Sequence, residues 1–75
     1  MNFQELDTVV LRRDLPKYKL RRGDLGAVVM SHGGAFDVEF VRASGRTQAV
    51  VRLSRGTMRA VRDDDILSVR SAART

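Results

Sequence analysis

Phe36-Asp37-Val38-Glu39-Phe40 alternates apolar and acidic side chains without a break, and Gln48-Ala49-Val50-Val51-Arg52-Leu53 runs on the same two-residue period shortly afterwards. A period of two marks a strand with one buried and one wet face. Ala43-Ser44-Gly45-Arg46 lies between the runs and reads as a turn. A turn centred on Ser44 and Gly45 sets Phe36 opposite Leu53, Val38 opposite Val51 and Phe40 opposite Ala49. It also sets Asp37 opposite Arg52 on the outer face. Core meets core and opposite charges meet, as antiparallel pairing favours. A chain organised around this hairpin has to be a β protein.

The remaining segments extend that reading. Thr8-Val9-Val10-Leu11 is rich in β-branched residues and reads as the first strand. Ala27-Val28-Val29-Met30 is the second, with Gly23 and Gly26 shaping a tight turn around Asp24-Leu25. His32-Gly33-Gly34 is a hairpin turn, since paired glycines supply the positive φ angles that short hairpins need. Ser54-Arg55-Gly56-Thr57 reads as a turn or one helical turn, and Met58 to Arg62 as a short fifth strand. Asp63-Asp64-Asp65 then forms a capped turn before a closing segment, Ile66-Leu67-Ser68-Val69. Close turns between short strands imply an all-β fold, a small five-stranded SH3-like barrel with a long basic loop between strands 1 and 2. The expected boundaries are residues 1–70 for the barrel and 71–75 for a frayed tail.

Size limits what such a fold can do. Seventy-five residues make one domain, which buries only ~60% of its unfolded surface and has no room for a deep substrate cavity. Cysteine is absent, which excludes disulfides and thiolate metal ligands and fits a reducing compartment. Met1-Asn2-Phe3-Gln4-Glu5 lacks the basic and apolar regions of a secretory signal. No apolar run approaches the ~20 residues a membrane span needs. The expected setting is the cytoplasm, with no membrane partner.

Charge is far less evenly spread than composition suggests. The formal net charge is +5, and residues 12–22 hold six basic residues and one acid, whereas the rest of the chain is balanced. A concentrated positive field attracts and orients an anionic partner. The chain has 12 Arg and 2 Lys; a GC-rich genome explains that ratio as well as phosphate recognition does. The position of the charge is therefore the stronger signal. Arg13, Lys17, Lys19, Arg21 and Arg22 are the candidate partner-binding cations. Tyr18 among them either stacks on a base or packs on the core as a lid.

The ordered motifs resemble a known family. They are Asp7-Thr8-Val9-Val10-Leu11, Asp14-Leu15-Pro16, Leu20, Arg22-Gly23-Asp24-Leu25-Gly26-Ala27-Val28-Val29 and Val38-Glu39-Phe40. In this order they are similar to a family of small bacterial proteins described only as a domain of unknown function (number forty-nine twenty-six). The resemblance continues more weakly through Val51-Arg52-Leu53 and Met58-Arg59-Ala60-Val61 to Ile66 and Arg70. It implies a single SH3-like barrel and an accessory, antitoxin-like or immunity-like role, with no catalytic residue to carry over. The chain departs from the family at Lys17 and Lys19, where acidic or small residues are usual.

Other constellations have plainer readings. His32 is the single histidine and sits beside two glycines, as a solvated turn residue does; a general base needs a positioned partner. Asp63-Asp64-Asp65 fails the calcium-loop pattern, with Ser68 at the sixth position and Arg74 at the twelfth. Helix or turn capping, with Arg59 or Arg62 as counter-charge, explains it better than a metal. Gly33-Gly34 is followed by a strand, whereas a phosphate loop is followed by a helix. Arg22-Gly23-Asp24 spells an adhesion tripeptide but reads as turn chemistry. The sequence thus points to a binding module without enzyme activity, metal, cofactor or small-molecule substrate. Its expected partner is an acidic protein docking on the Arg12–Arg22 loop; the alternative is nucleic acid on the same loop.

Overall fold

The computed structural model describes residues 3–72. Five strands form a single antiparallel sheet: β1 (Thr8–Leu11), β2 (Leu25–His32), β3 (Ala35–Val41), β4 (Thr47–Ser54) and β5 (Met58–Ala60). Their order across the sheet is β4-β3-β2-β1-β5. The β3–β4 hairpin pairs Phe36 with Leu53, Asp37 with Arg52, Val38 with Val51 and Phe40 with Ala49. That is the register deduced from alternation and a turn centred on Ser44 and Gly45.

β4 and β5 are the two edges, and among the described residues no ladder joins them. The expected barrel therefore goes further than the hydrogen bonding does. Chain connectivity nevertheless demands strong curvature. Only a 3-10 turn, Arg55–Thr57, separates Ser54 at the end of β4 from Met58 at the start of β5. Four strand spacings across a flat sheet would be ~19 Å, while four residue steps reach at most ~14 Å. The sheet has to curl until its edges approach at this end.

Curling wraps one face around a single core. Val9, Leu11, Val28, Phe36, Val38, Phe40, Val51, Leu53 and Met58 are buried there, one or more from every strand. Leu20 enters from the β1–β2 connection. Phe3 closes one end, its ring edge-on to Phe36 with centroids 5.4 Å apart. A turn stitched by Gln4 N–H to Asp7 Oδ2 (2.8 Å) swings Phe3 into place.

Three sequence expectations change on the fold. Gly26 is not a turn residue. It lies inside β2 opposite Val9, and a Cβ built there would stand 2.5 Å from Val38 Cγ1 and 2.9 Å from Phe40 Cε1. The glycine leaves the space that the side chains of Val38 and Phe40 occupy. In the β2–β3 turn only Gly33 takes a positive φ, and His32 belongs to β2. A bulge at Val29 shifts the β2–β3 register between Val28 and Met30, so two successive apolar residues, Val29 and Met30, are exposed. Beyond Ala60 the chain forms no strand through Ala72. Of the tail expected to fray, Ala73, Arg74 and Thr75 lie outside the described residues, as do Met1 and Asn2.

Candidate partner-binding site

The connection between β1 and β2, residues 12–24, is a folded lobe. Pro16–Tyr18 make a 3-10 turn with proline at its start, where a missing N–H costs nothing. Lys19 closes the turn in the left-handed region at φ 58. Leu15 and Leu20 then exchange backbone hydrogen bonds of 2.9 and 3.1 Å, pinching the lobe at its neck. Leu20 is buried, and Leu15 and Tyr18 pack partly buried against the core. These three side chains anchor the lobe and turn the intervening lysines outward.

The two acids of the segment are used internally. Asp14 Oδ1 accepts from Arg22 N–H (2.8 Å), and Asp24 Oδ2 accepts from Arg21 N–H (2.7 Å). Asp24 also takes the guanidinium of Arg70, through Nε at 2.9 Å and through Nη2. Arg70 Nη2 donates to the Lys19 carbonyl as well (3.0 Å). Burial pushes Asp24 upward, but Arg70, the Arg21 N–H and the nearby cationic charge together hold its carboxyl below the usual range. The acids thus hold backbone and Arg70, and among the described residues no ion pair engages the side chains of Arg12, Arg13, Lys17, Lys19, Arg21 or Arg22.

The predicted site residues do not converge on one spot. Lys17 and Tyr18 sit together, with Lys17 Nζ 5.6 Å from the ring centroid, a cation–π geometry. Lys19 and Arg22 border a cleft of about 940 Å³ on the outer face of the sheet, floored by Val10, Leu25 and Val41 and walled by Ile66 to Ala72. Arg13 and Arg21 border neither this cleft nor its smaller neighbour. That neighbour, about 480 Å³, brings Arg22 together with Arg12, Arg59 and Arg62.

Arg59 is the residue on which sequence and structure meet most closely. Its Nη1 and Nη2 donate to Asp65 Oδ2 and Oδ1, both at 2.9 Å. Asp65 Oδ2 also accepts from Arg62 N–H at 2.6 Å. These contacts, Arg59 first, hold the Asp65 carboxyl at about 2. The expected counter-charge to the acidic run is therefore present, and Asp65 caps a turn and no helix. Among the described residues no three carboxylate or histidine groups gather as metal ligands. His32 lies on the outer face, where its Nε2 is 2.8 Å from Asp37 Oδ2 and 3.2 Å from Arg52 Nη2. Arg52 Nε donates to Asp37 Oδ1 at 3.0 Å.

The sequence reading missed Arg70, which acts 46 residues from its partner and leaves no local trace. Arg12 and Arg59 did carry a signal. Both follow inward residues, Leu11 and Met58, which pair with each other, so alternation sends both arginines outward once β1 and β5 are neighbours.

Fold and site define a small all-β protein with a cationic lobe set against an outer-face cleft. The chain belongs to the family described as Domain of unknown function (DUF4926), which it matches over residues 5–60. Val61, Ile66 and Arg70 fall outside that match. No characterised protein and no solved structure was found to match the chain. Among the described residues no helix is long and apolar enough to cross a membrane.

Proposed function

We propose that this protein is a non-catalytic binding module that docks an acidic protein partner through the lobe at residues 12–24. One observation carries the reading: six cationic side chains on one connection form no ion pair among the described residues, while both acids of that connection are taken up by backbone N–H groups and Arg70. A preorganised positive lobe speeds encounter with an acidic surface and fixes its orientation. In this reading the curled sheet works as an SH3-like barrel, in which the long connection between the first two strands presents the binding surface. The role is that of a cytoplasmic accessory, antitoxin-like, immunity-like or adaptor.

Nucleic acid is the second reading, since the same cations suit phosphates. Tyr18 weighs against it, because the ring packs partly buried on the core and presents less of its surface for stacking on a base. Pull-down from native lysate, with and without nuclease, separates the two. A protein retained after nuclease by the wild type, and lost with Lys17→Glu, Lys19→Glu, Arg21→Glu and Arg22→Glu combined, supports the module. The backbone groups that build the lobe survive those changes, so the fold should persist by circular dichroism. Retention by the charge-reversed variant sinks the reading. Loss on nuclease treatment turns it to nucleic acid, and oligonucleotide affinity should then fall with a log–log salt slope of about −2 to −3.

A further inference from the structure

Four arginines line the smaller cleft: Arg12 leaving β1, Arg22 leaving the lobe, Arg59 on β5 and Arg62 just after it. No acidic residue lines it. Its walls are fixed through the backbone. Arg12 N–H donates to the Thr57 carbonyl and Gly23 N–H to the Leu11 carbonyl, both at 2.9 Å. Gly23, at φ 95, has open space where a Cβ would stand, which leaves that wall bare.

One of the four guanidiniums is neutralised and oriented by Asp65, which at the same time fixes the backbone of Arg62. The other three have no ion pair among the described residues. Bringing like charges together costs free energy unless an anion joins them. A guanidinium fork meets a carboxylate through two parallel hydrogen bonds, as Arg59 does with Asp65.

The surroundings favour a polypeptide over a phosphodiester chain. Val10, Arg22, Gly23 and Arg59 border both clefts, so the arginine cleft adjoins the larger one. The larger cleft is lined by apolar Val10, Leu25 and Val41 as well as by charged residues such as Asp24, Arg42 and Asp65. A peptide can follow acidic residues with apolar ones, whereas a nucleic-acid backbone offers those apolar side chains nothing.

We propose that the Arg12–Arg22–Arg59–Arg62 cleft is a carboxylate-binding site that anchors an acidic segment of the protein partner, with the segment's apolar neighbours lying along the floor of Val10, Leu25 and Val41. This rests on the protein-partner reading and extends its surface beyond the lobe to two further residues, Arg59 and Arg62.

The test is fluorescence anisotropy of the full chain at low salt with a labelled hexaglutamate peptide and a labelled hexathymidine oligonucleotide. Arg12→Gln with Arg62→Gln should weaken hexaglutamate binding by about tenfold or more, as expected for loss of two charge-assisted forks. Arg46→Gln with Arg55→Gln removes the same charge from exposed positions that line neither cleft and should change it by no more than about twofold, the scale of an exposed charge. Arg12→Lys with Arg62→Lys keeps the charge and should still weaken binding, because the fork is gone. Equal weakening by the two glutamine pairs overturns the cleft but leaves the module standing. So does full retention of binding by the cleft variant alongside loss on reversing Lys17, Lys19 and Arg21. A wild type that prefers the oligonucleotide, or binds neither probe, overturns the protein-partner reading itself. Circular dichroism and thermal melting check each variant's fold; if the glutamine pair does not fold, the lysine pair carries the test.

Discussion

Arg70 reaches back across 46 residues to grip Asp24, its Nε 2.9 Å from Oδ1 while Nη2 meets Oδ2 and the Lys19 carbonyl. One side chain from the segment after β5 thus ties both ends of the lobe's second half. Asp24 in turn holds Arg21 N–H, so the pair fixes the backbone at Lys19 and Arg21.

This contact should be worth more than a surface ion pair, because it is a two-oxygen fork with both partners mostly shielded. Part of the gain is offset, since Arg70 Nη1 is buried with no acceptor among the described residues. A double-mutant cycle of Arg70→Ala and Asp24→Asn, read by chemical denaturation, should give a coupling of about 1 kcal/mol. Hydrogen exchange at Arg21 and Gly23 should accelerate in both single variants. A coupling near zero would mean that the segment after Ala60 merely lies on the sheet.

Gly26 and Gly23 are three residues apart yet should fail for different reasons. Alanine at Gly26 would drive a methyl into Val38 and Phe40, which are both buried, and overpacking of that kind costs about 1–3 kcal/mol. Alanine at Gly23 meets nothing but must hold φ 95, a left-handed strain of about 1–2 kcal/mol. Val38→Ala removes the nearest of the atoms that crowd a Cβ at Gly26, leaving those of Phe40. The cost of Gly26→Ala should therefore shrink in a Val38→Ala background while that of Gly23→Ala stays the same. Thermal denaturation of the four combinations decides it; additivity at both sites would refute the close-approach account.

Acid should destabilise the fold over a defined window. Asp65 titrates at about 2, lowered by Arg59 and then by the Arg62 N–H. Asp37 is lowered by Arg52 and then His32, and Asp24 is lowered on balance by Arg70 despite its burial. Carboxyl groups with depressed folded values bind fewer protons folded than unfolded, so their stabilisation is complete above about pH 5 and is lost as pH falls towards about 2. The urea midpoint should hold steady from pH 7 to about 5 and then fall, and Asp65→Asn should flatten part of that fall. An unchanged midpoint down to pH 2, or an unchanged slope in Asp65→Asn, would show these pairs to be idle.

The hairpin was legible because period-two alternation is a local signal, and a turn of known centre converts it into register; Asp37 opposite Arg52 was fixed by that arithmetic. The bulge at Val29 was not legible, because Ala27 to Met30 is apolar on both faces and offers no phase to shift. Gly26 misled for a related reason: a glycine beside Asp24 looks like turn chemistry, and only the partner strand reveals that space was needed. The cations were visible as a segment but not as a site. Their grouping depends on β1 lying between β2 and β5, a long-range pairing that local patterns do not encode.

Lys19 offers the cleanest separation of fold from binding. Its backbone sits at φ 58 and its carbonyl receives Arg70, while its side chain borders the larger cleft. Glycine keeps the carbonyl and relieves a left-handed strain of about 1–2 kcal/mol, against roughly 0.5–1 kcal/mol of added unfolded-chain freedom. Lys19→Gly should therefore melt at the wild-type temperature or up to about 10 °C above it. The same change removes one cation from the site, so hexaglutamate affinity should fall a few-fold, by about 1 kcal/mol or less. A lower melting temperature would show that the lysine stem supports the lobe. Unchanged affinity would confine the partner to the arginine cleft and leave the lobe's tip outside the interface.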